Sequence, residues 1–222
     1  MKSLFILLFL SCISFIVNAE KSFALPVQDI VFSKSSSEDL IMTSRDGRYR
    51  LFGKIYDSWN DIYLDNYSNV IESFLKIDTS RLPFDLKKVT PFIVGTGIKP
   101  VYLFIDPTCP ACKRLLEQIT DIESFTYYII PIPVRSSKSF SYLNALACTA
   151  DISDATKRIL ASRYEGISVF PPEDCPENMR QLPKYWQAIS TVLSINEVPF
   201  IIRHDGYIFK GIPSNFLSWL RS

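Results

Sequence analysis

The sequence has little to offer a metal. Among 222 residues there is one histidine, His204, and five cysteines, of which only Cys109 and Cys112 form a Cys-x-x-Cys pair. A structural zinc site needs four donors, commonly two such pairs or a pair joined to histidines. The ligand count therefore argues against zinc, and no metal and no cofactor is expected. Charge of one sign is not in excess either, since 24 Lys and Arg face 23 Asp and Glu. A chain so balanced lacks the basic field that holds phosphate backbones or anionic membrane surfaces, so nucleic acid is not an expected partner. There is no internal repeat and no low-complexity tract. With 47% hydrophobic residues the chain can bury a core, and its length allows one ordinary domain and a smaller one.

Long apolar runs are scarce as well. The first residues read as a cleaved secretory signal over 1–19, with Lys2 as the charged start, an apolar stretch from Leu4 to Val17, and small residues at Val17-Asn18-Ala19. A membrane anchor wants about 20 strongly apolar residues. Leu10-Ser11-Cys12 has some likeness to a lipidation site, but the run before Cys12 is short and Phe9 stands where a leucine is usual. Removal of 1–19 takes Lys2 and Cys12 and leaves an even set of four cysteines, Cys109, Cys112, Cys148 and Cys175. Export to an oxidising compartment makes disulfides possible for all four.

Punctuation and periodicity divide the rest. Leu40–Ser44 and Tyr49–Phe52 flank Asp46-Gly47, a pair suited to a tight hairpin. Tyr67, Val70, Ile71, Phe74 and Leu75 fall on one face of a helix that would connect two domains. Prolines and glycines follow, ending at Val101–Ile105, a continuous apolar run of the kind buried on both faces of a sheet. A second strand is expected at Phe125–Ile130, closed by Pro131 and Pro133. Phe140, Leu143 and Ala147, then Ile159 and Leu160, then Tyr185, Ile189 and Val192 mark a helical insertion of roughly sixty residues. Val198–His204 and Tyr207–Lys210 around Asp205-Gly206 form a second hairpin, and Phe216, Leu217 and Leu220 suit a closing helix. The order is that of an α/β fold with helices covering a small sheet.

Cys109-Pro110-Ala111-Cys112 sits at the junction of the Val101–Ile105 strand and a helix. A cysteine at a helix start faces free backbone N–H groups and the positive end of the helix dipole, which favour the thiolate. Cys109 is the expected nucleophile and Cys112, one turn further in, the expected resolving thiol of a redox dithiol. Pro110 stiffens the turn between them, and Ala111 adds neither charge nor a hydrogen bond.

The stretch Val101–Leu116, with Asp106 three residues before Cys109 and Thr108 beside it, resembles the active-site segment of the DsbC/DsbG family of periplasmic disulfide isomerases. Leu40–Asp57 is similar to the end of that family's small dimerisation domain, and Val198-Pro199 with its hairpin resembles the C-terminal part. The resemblance implies a thioredoxin-like fold with a helical insertion over 91–222, preceded by a small, mostly β dimerisation-type domain over 20–66 and a linker helix and connector over 67–90. It implies a cis Val198-Pro199 bond facing the cysteines, with Thr108, Val198 and Pro199 as substrate-binding residues. It also implies a structural disulfide between Cys148 and Cys175, 27 positions apart, which would stabilise the fold by roughly 3.6 kcal/mol in the chain-entropy model. The alternative is two separate buried thiols.

The implied activity is that of a periplasmic homodimer that rearranges non-native disulfides in exported proteins and is kept reduced by a membrane electron donor of the DsbD type. A dedicated thiol oxidase or reductase for an envelope assembly such as a secretion or conjugation apparatus, a client-binding chaperone, and a structural subunit are the alternatives. His204 is expected at the surface without a catalytic role. Tyr56 and Trp59 suit packing more than a substrate cleft.

Overall fold

The computed structural model describes residues 30–35, 40–134, 136–171 and 173–222. The expected signal segment 1–19, with Cys12, lies outside the described residues. Strands β1 (Ile30–Lys34), β2 (Leu40–Ser44) and β3 (Arg50–Leu51) form an antiparallel sheet in that order. Its Asp46-Gly47 turn places Gly47 at φ +72°, and the Asp46 carboxylate accepts from Ser44 Oγ at 2.5 Å and Arg48 N at 3.1 Å. Those two donors hold the Asp46 carboxyl below its ordinary range. Strands β4 (Ile55–Asp57) and β5 (Ile62–Leu64) make a second hairpin.

Helix α1 (Tyr67–Leu75) starts at Asn66, whose side chain accepts from Asn69 N at 2.9 Å. Its apolar stripe is only partly used: Val70 is buried, while Tyr67, Ile71, Phe74 and Leu75 are exposed, Phe74 by 62%. The connector that follows is packed down. Ile77 N donates to Gly206 O at 2.9 Å, Asn60 bonds both Lys76 O and Asp78 N at 3.0 Å, and Ile77, Leu82 and Leu86 join the main core. Glycine is required at 206, where φ is +92° and a Cβ would lie 2.2 Å from Ile77 O.

The main sheet runs β10-β9-β7-β8-β6, from β6 (Ile93–Val94), β7 (Lys99–Ile105), β8 (Phe125–Pro131), β9 (Phe200–Ile202) and β10 (Ile208–Lys210). Only β7 and β8 are parallel, joined through α2 (Pro110–Leu116), and the other pairs are antiparallel. Val101 to Ile105 are all buried, as a strand covered on both faces requires. Helices α3 (Ser137–Ala147), α4 (Ile152–Leu160), α5 (Glu177–Arg180), α6 (Leu182–Val192) and α7 (Phe216–Arg221) cover it in a thioredoxin-like layout with a helical insertion.

Two helical faces are rotated from the sequence reading. On α3, Leu143 and Ala147 are buried but Phe140 is exposed, and Ser139 turns inward instead. On α6, Trp186 and Ile189 are buried while Tyr185 and Val192 are exposed. The α6 orientation satisfies a polar group as well as burying area, because Trp186 Nε1 donates to Val89 O at 2.7 Å.

Candidate active site

The site begins where β7 ends. Asp106 is buried at 1% exposure, its main-chain oxygen accepts from Cys109 N at 2.9 Å, and its carboxylate accepts from Thr108 N and Thr108 Oγ1, both at 2.7 Å. These bonds turn the chain sharply, so that Cys109 caps α2 and Pro110 is its first helical residue, where a missing N–H costs nothing. Lys113 N closes the first turn on Cys109 O at 3.2 Å.

Cys109 and Cys112 are both free thiols, 4% and 1% exposed. Across the gap, Cys109 Sγ lies 3.6 Å from the carbonyl oxygen of Val198, and the Val198-Pro199 peptide bond is cis. Pro199 O accepts from Gly211 N at 2.7 Å, which ties this segment to the end of the β9–β10 hairpin. Cys109 and Val198, 89 residues apart in sequence, thus meet just beyond the end of β7.

Burial pushes the Cys112 thiol well above its ordinary range; the Cys109 and Asp106 charges push it further and a backbone bond from Asp106 opposes them. A thiol held protonated reacts only after losing a proton it keeps tightly. Tyr164 is a neighbour that sequence reasoning did not name. It is buried, its ring lies 5.3 Å from that of Tyr142, and burial, with the charges of Cys112 and Asp106, raises its phenol. Ser139 was missed too; a lone hydroxyl on the Leu143 face of α3 was the available signal.

Among the described residues the other two cysteines are joined in a Cys148–Cys175 disulfide with a Cα separation of 5.5 Å, at the end of α3 opposite to Ser139. His204, expected at the surface, is half-buried against Phe125 with ring centroids 6.1 Å apart, and burial lowers its basicity. Packing against the Phe125 ring of β8 accounts for the difference. Trp59 packs on the core and lines a cleft with Phe74, Ile77 and Phe200, while Tyr56 is exposed and tilted on Tyr63 at 5.1 Å. Among the described residues no three His, Cys, Asp or Glu side chains gather as a metal site, and no helix is long and apolar enough to cross a membrane.

The chain is 24% identical over 135 residues to a protein of Bordetella parapertussis named as a probable thiol:disulfide interchange protein DsbC, covering 61% of this chain and 45% of that one. A Bordetella avium protein of the same name is 25% identical over 123 residues, 54% and 42% of the two chains. At this identity the chain is similar to interchange proteins named DsbC. It spans about half the length of the curated relatives it matches. No family model matches the chain. A disulfide interchange protein of Neisseria gonorrhoeae aligns with it at 19% identity and TM-score 0.49, over 62% of this chain and 96% of that one. Proteus mirabilis ScsC in a transitional conformation aligns with this chain at 17% identity and TM-score 0.47, over 60% of this chain and 71% of that one.

Proposed function

We propose that this protein is a periplasmic thiol-disulfide oxidoreductase that acts as a DsbC-like isomerase on exported proteins carrying non-native disulfides. The observation that carries the reading is the Cys109 sulfur 3.6 Å from the Val198 carbonyl, at the mouth of a Cys-x-x-Cys helix. Cys109 attacks a client disulfide, forming a mixed disulfide and expelling one client thiolate; Thr108, Val198 and Pro199 hold the extended client segment beside it. The client's own thiols then reshuffle the bond, or Cys112 attacks Cys109 and releases a reduced client. Cys148–Cys175 is structural, and a membrane electron donor of the DsbD type returns Cys109 and Cys112 to the dithiol.

A homodimer completes the reading, with 20–66 as the dimerisation domain and 91–222 as the catalytic one. Support comes from Tyr67, Ile71, Phe74 and Leu75 on α1 and from Ile30, Val31 and Ile41 on β1 and β2, large apolar side chains that stay exposed. Apolar surface of this kind favours a partner.

The test is refolding of scrambled ribonuclease by the chain without 1–19, with its oligomeric state sized in parallel. Recovery of ribonuclease activity by a dimer, abolished by Cys109→Ala, is the expected result. A monomer active only in insulin reduction would make the protein a reductase, and cysteines held oxidised in cells would make it an oxidase.

A further inference from the structure

Asp106 adjoins the dithiol through its main-chain oxygen, which accepts from Cys109 N at 2.9 Å, and its carboxylate is surrounded by donors. A carboxylate has about four acceptor sites. Thr108 N and Thr108 Oγ1 at 2.7 Å and Ser139 Oγ at 2.8 Å meet Oδ1, and Val134 N at 2.8 Å and Ser139 Oγ at 2.9 Å meet Oδ2. Ser139 is itself fixed, 3.2 Å from the hydroxyl of Ser136, the residue that caps α3, and it is fully buried. Donors of this kind favour the ionised carboxylate and leave it little capacity to accept a proton.

We propose that Ser139 is a positioning residue, which with Thr108 keeps Asp106 saturated, so that Asp106 acts on Cys112 as a fixed charge and not as its proton acceptor. The inference rests on the dithiol reading above and refines it. In the resolving step Cys112 gives its proton to solvent and its sulfur attacks Cys109 of the mixed disulfide. The Cys109–Cys112 bond forms and the bond from Cys109 to the client breaks. The electron pair leaves on the client sulfur, which takes up a proton; the client is reduced and the protein oxidised. A fixed negative charge beside Cys112 slows this release, so the mixed disulfide persists and the client's own thiols have time to reshuffle it. Among the described residues the ionisable groups acting on Cys112 are Asp106 and Cys109, and Tyr164 lies close enough to feel both thiols.

The test reads Cys112 alone. In a Cys109→Ala background of the full chain, with Cys148–Cys175 intact, iodoacetamide alkylation of Cys112 is followed by mass spectrometry over about pH 6 to 10, the range that spans ordinary thiols. Asp106→Asn is expected to raise the rate at neutral pH by about tenfold, as loss of a neighbouring charge would. Ser139→Ala, which frees a carboxylate site, is expected to raise it by a smaller factor, and Ser139→Thr to restore the parent profile. A rate that falls in Asp106→Asn makes Asp106 the acceptor and overturns the proposal; so does a Ser139→Ala profile that superimposes on the parent. If Asp106→Asn does not fold, the two Ser139 variants decide. Because one thiol's reactivity is read, an outcome here is independent of whether the protein isomerises ribonuclease.

Discussion

Removing the Cys148–Cys175 bridge has a magnitude that follows from its place in the chain. The cysteines are 27 positions apart, and a loop of about 28 residues is worth about 3.6 kcal/mol in the chain-entropy model. Native contacts across the loop persist without the bond, since Ala150 N donates to Ser168 O and Phe170 N to Cys148 O, each at 2.9 Å. The folded state is thus largely unchanged and the loss falls on the unfolded chain. Cys148→Ala/Cys175→Ala is therefore compared with its parent in a Cys109→Ala/Cys112→Ala background, which removes the dithiol from the comparison. With a urea m-value of about 2 kcal/mol per molar, the midpoint is expected to fall by about 1.8 M, read from tryptophan fluorescence. Buried Trp186, held by its bond to Val89, is the reporter. A loss below about 1.5 kcal/mol would refute the argument, because it would mean that the bridge constrains the unfolded chain far less than its loop length requires.

Two further outcomes follow from burial and backbone geometry. Burial holds the Cys112 and Tyr164 protons above their ordinary values of 9.0 and 10.0 and pushes Tyr102 and Tyr127 up to about 12. These groups favour the fold while the unfolded chain is still protonated, and the unfolded chain gives up its protons first as the pH rises. Stability of the reduced protein is expected to hold up to about pH 8.5 and to fall steadily above pH 9, and a flat urea midpoint from pH 8 to 11 would contradict this. Gly206→Ala should cost about 2 to 4 kcal/mol in thermal or urea unfolding, from the clash with Ile77 O and the positive φ, and a loss under about 1 kcal/mol would show that the connector is not docked there.

Much of the fold was legible along the chain because local signals agreed with each other. Asp46-Gly47 and Asp205-Gly206 mark turns that need positive φ, and both glycines adopt it. The α1 stripe predicted a helix over Tyr67 to Leu75, which is the helix observed, yet periodicity could not say that most of that stripe stays uncovered. Phe140, Tyr185 and Val192 failed for the same reason. A 3.6-residue period locates a face, but the partner surface chooses which face is buried, and on α6 the bond from Trp186 to Val89, 97 residues away, goes with the choice. Arg203 carried no signal at all. It is buried between Tyr207 and Trp219, bonds both oxygens of Asp205 at 2.8 Å and reaches Trp219 O at 2.5 Å, anchoring α7.

By itself the sequence determined the two Asp-Gly hairpins, helix α1, strands β7 and β8 and the strand-to-helix junction that carries Cys109 and Cys112, because each depends on neighbours a few residues apart; the short elements β4, β5, β6 and α5 left no such signal. Family likeness, not spacing, pointed to Pro199 and to a Cys148–Cys175 pair. Only the tertiary structure decided that Val198 stands 3.6 Å from Cys109 across a separation of 89 residues, and that Ser139 of the insertion reaches Asp106 across 33. Such contacts arise where β9 and α3 pack against the end of β7, and packing is a property of surfaces that no local pattern encodes.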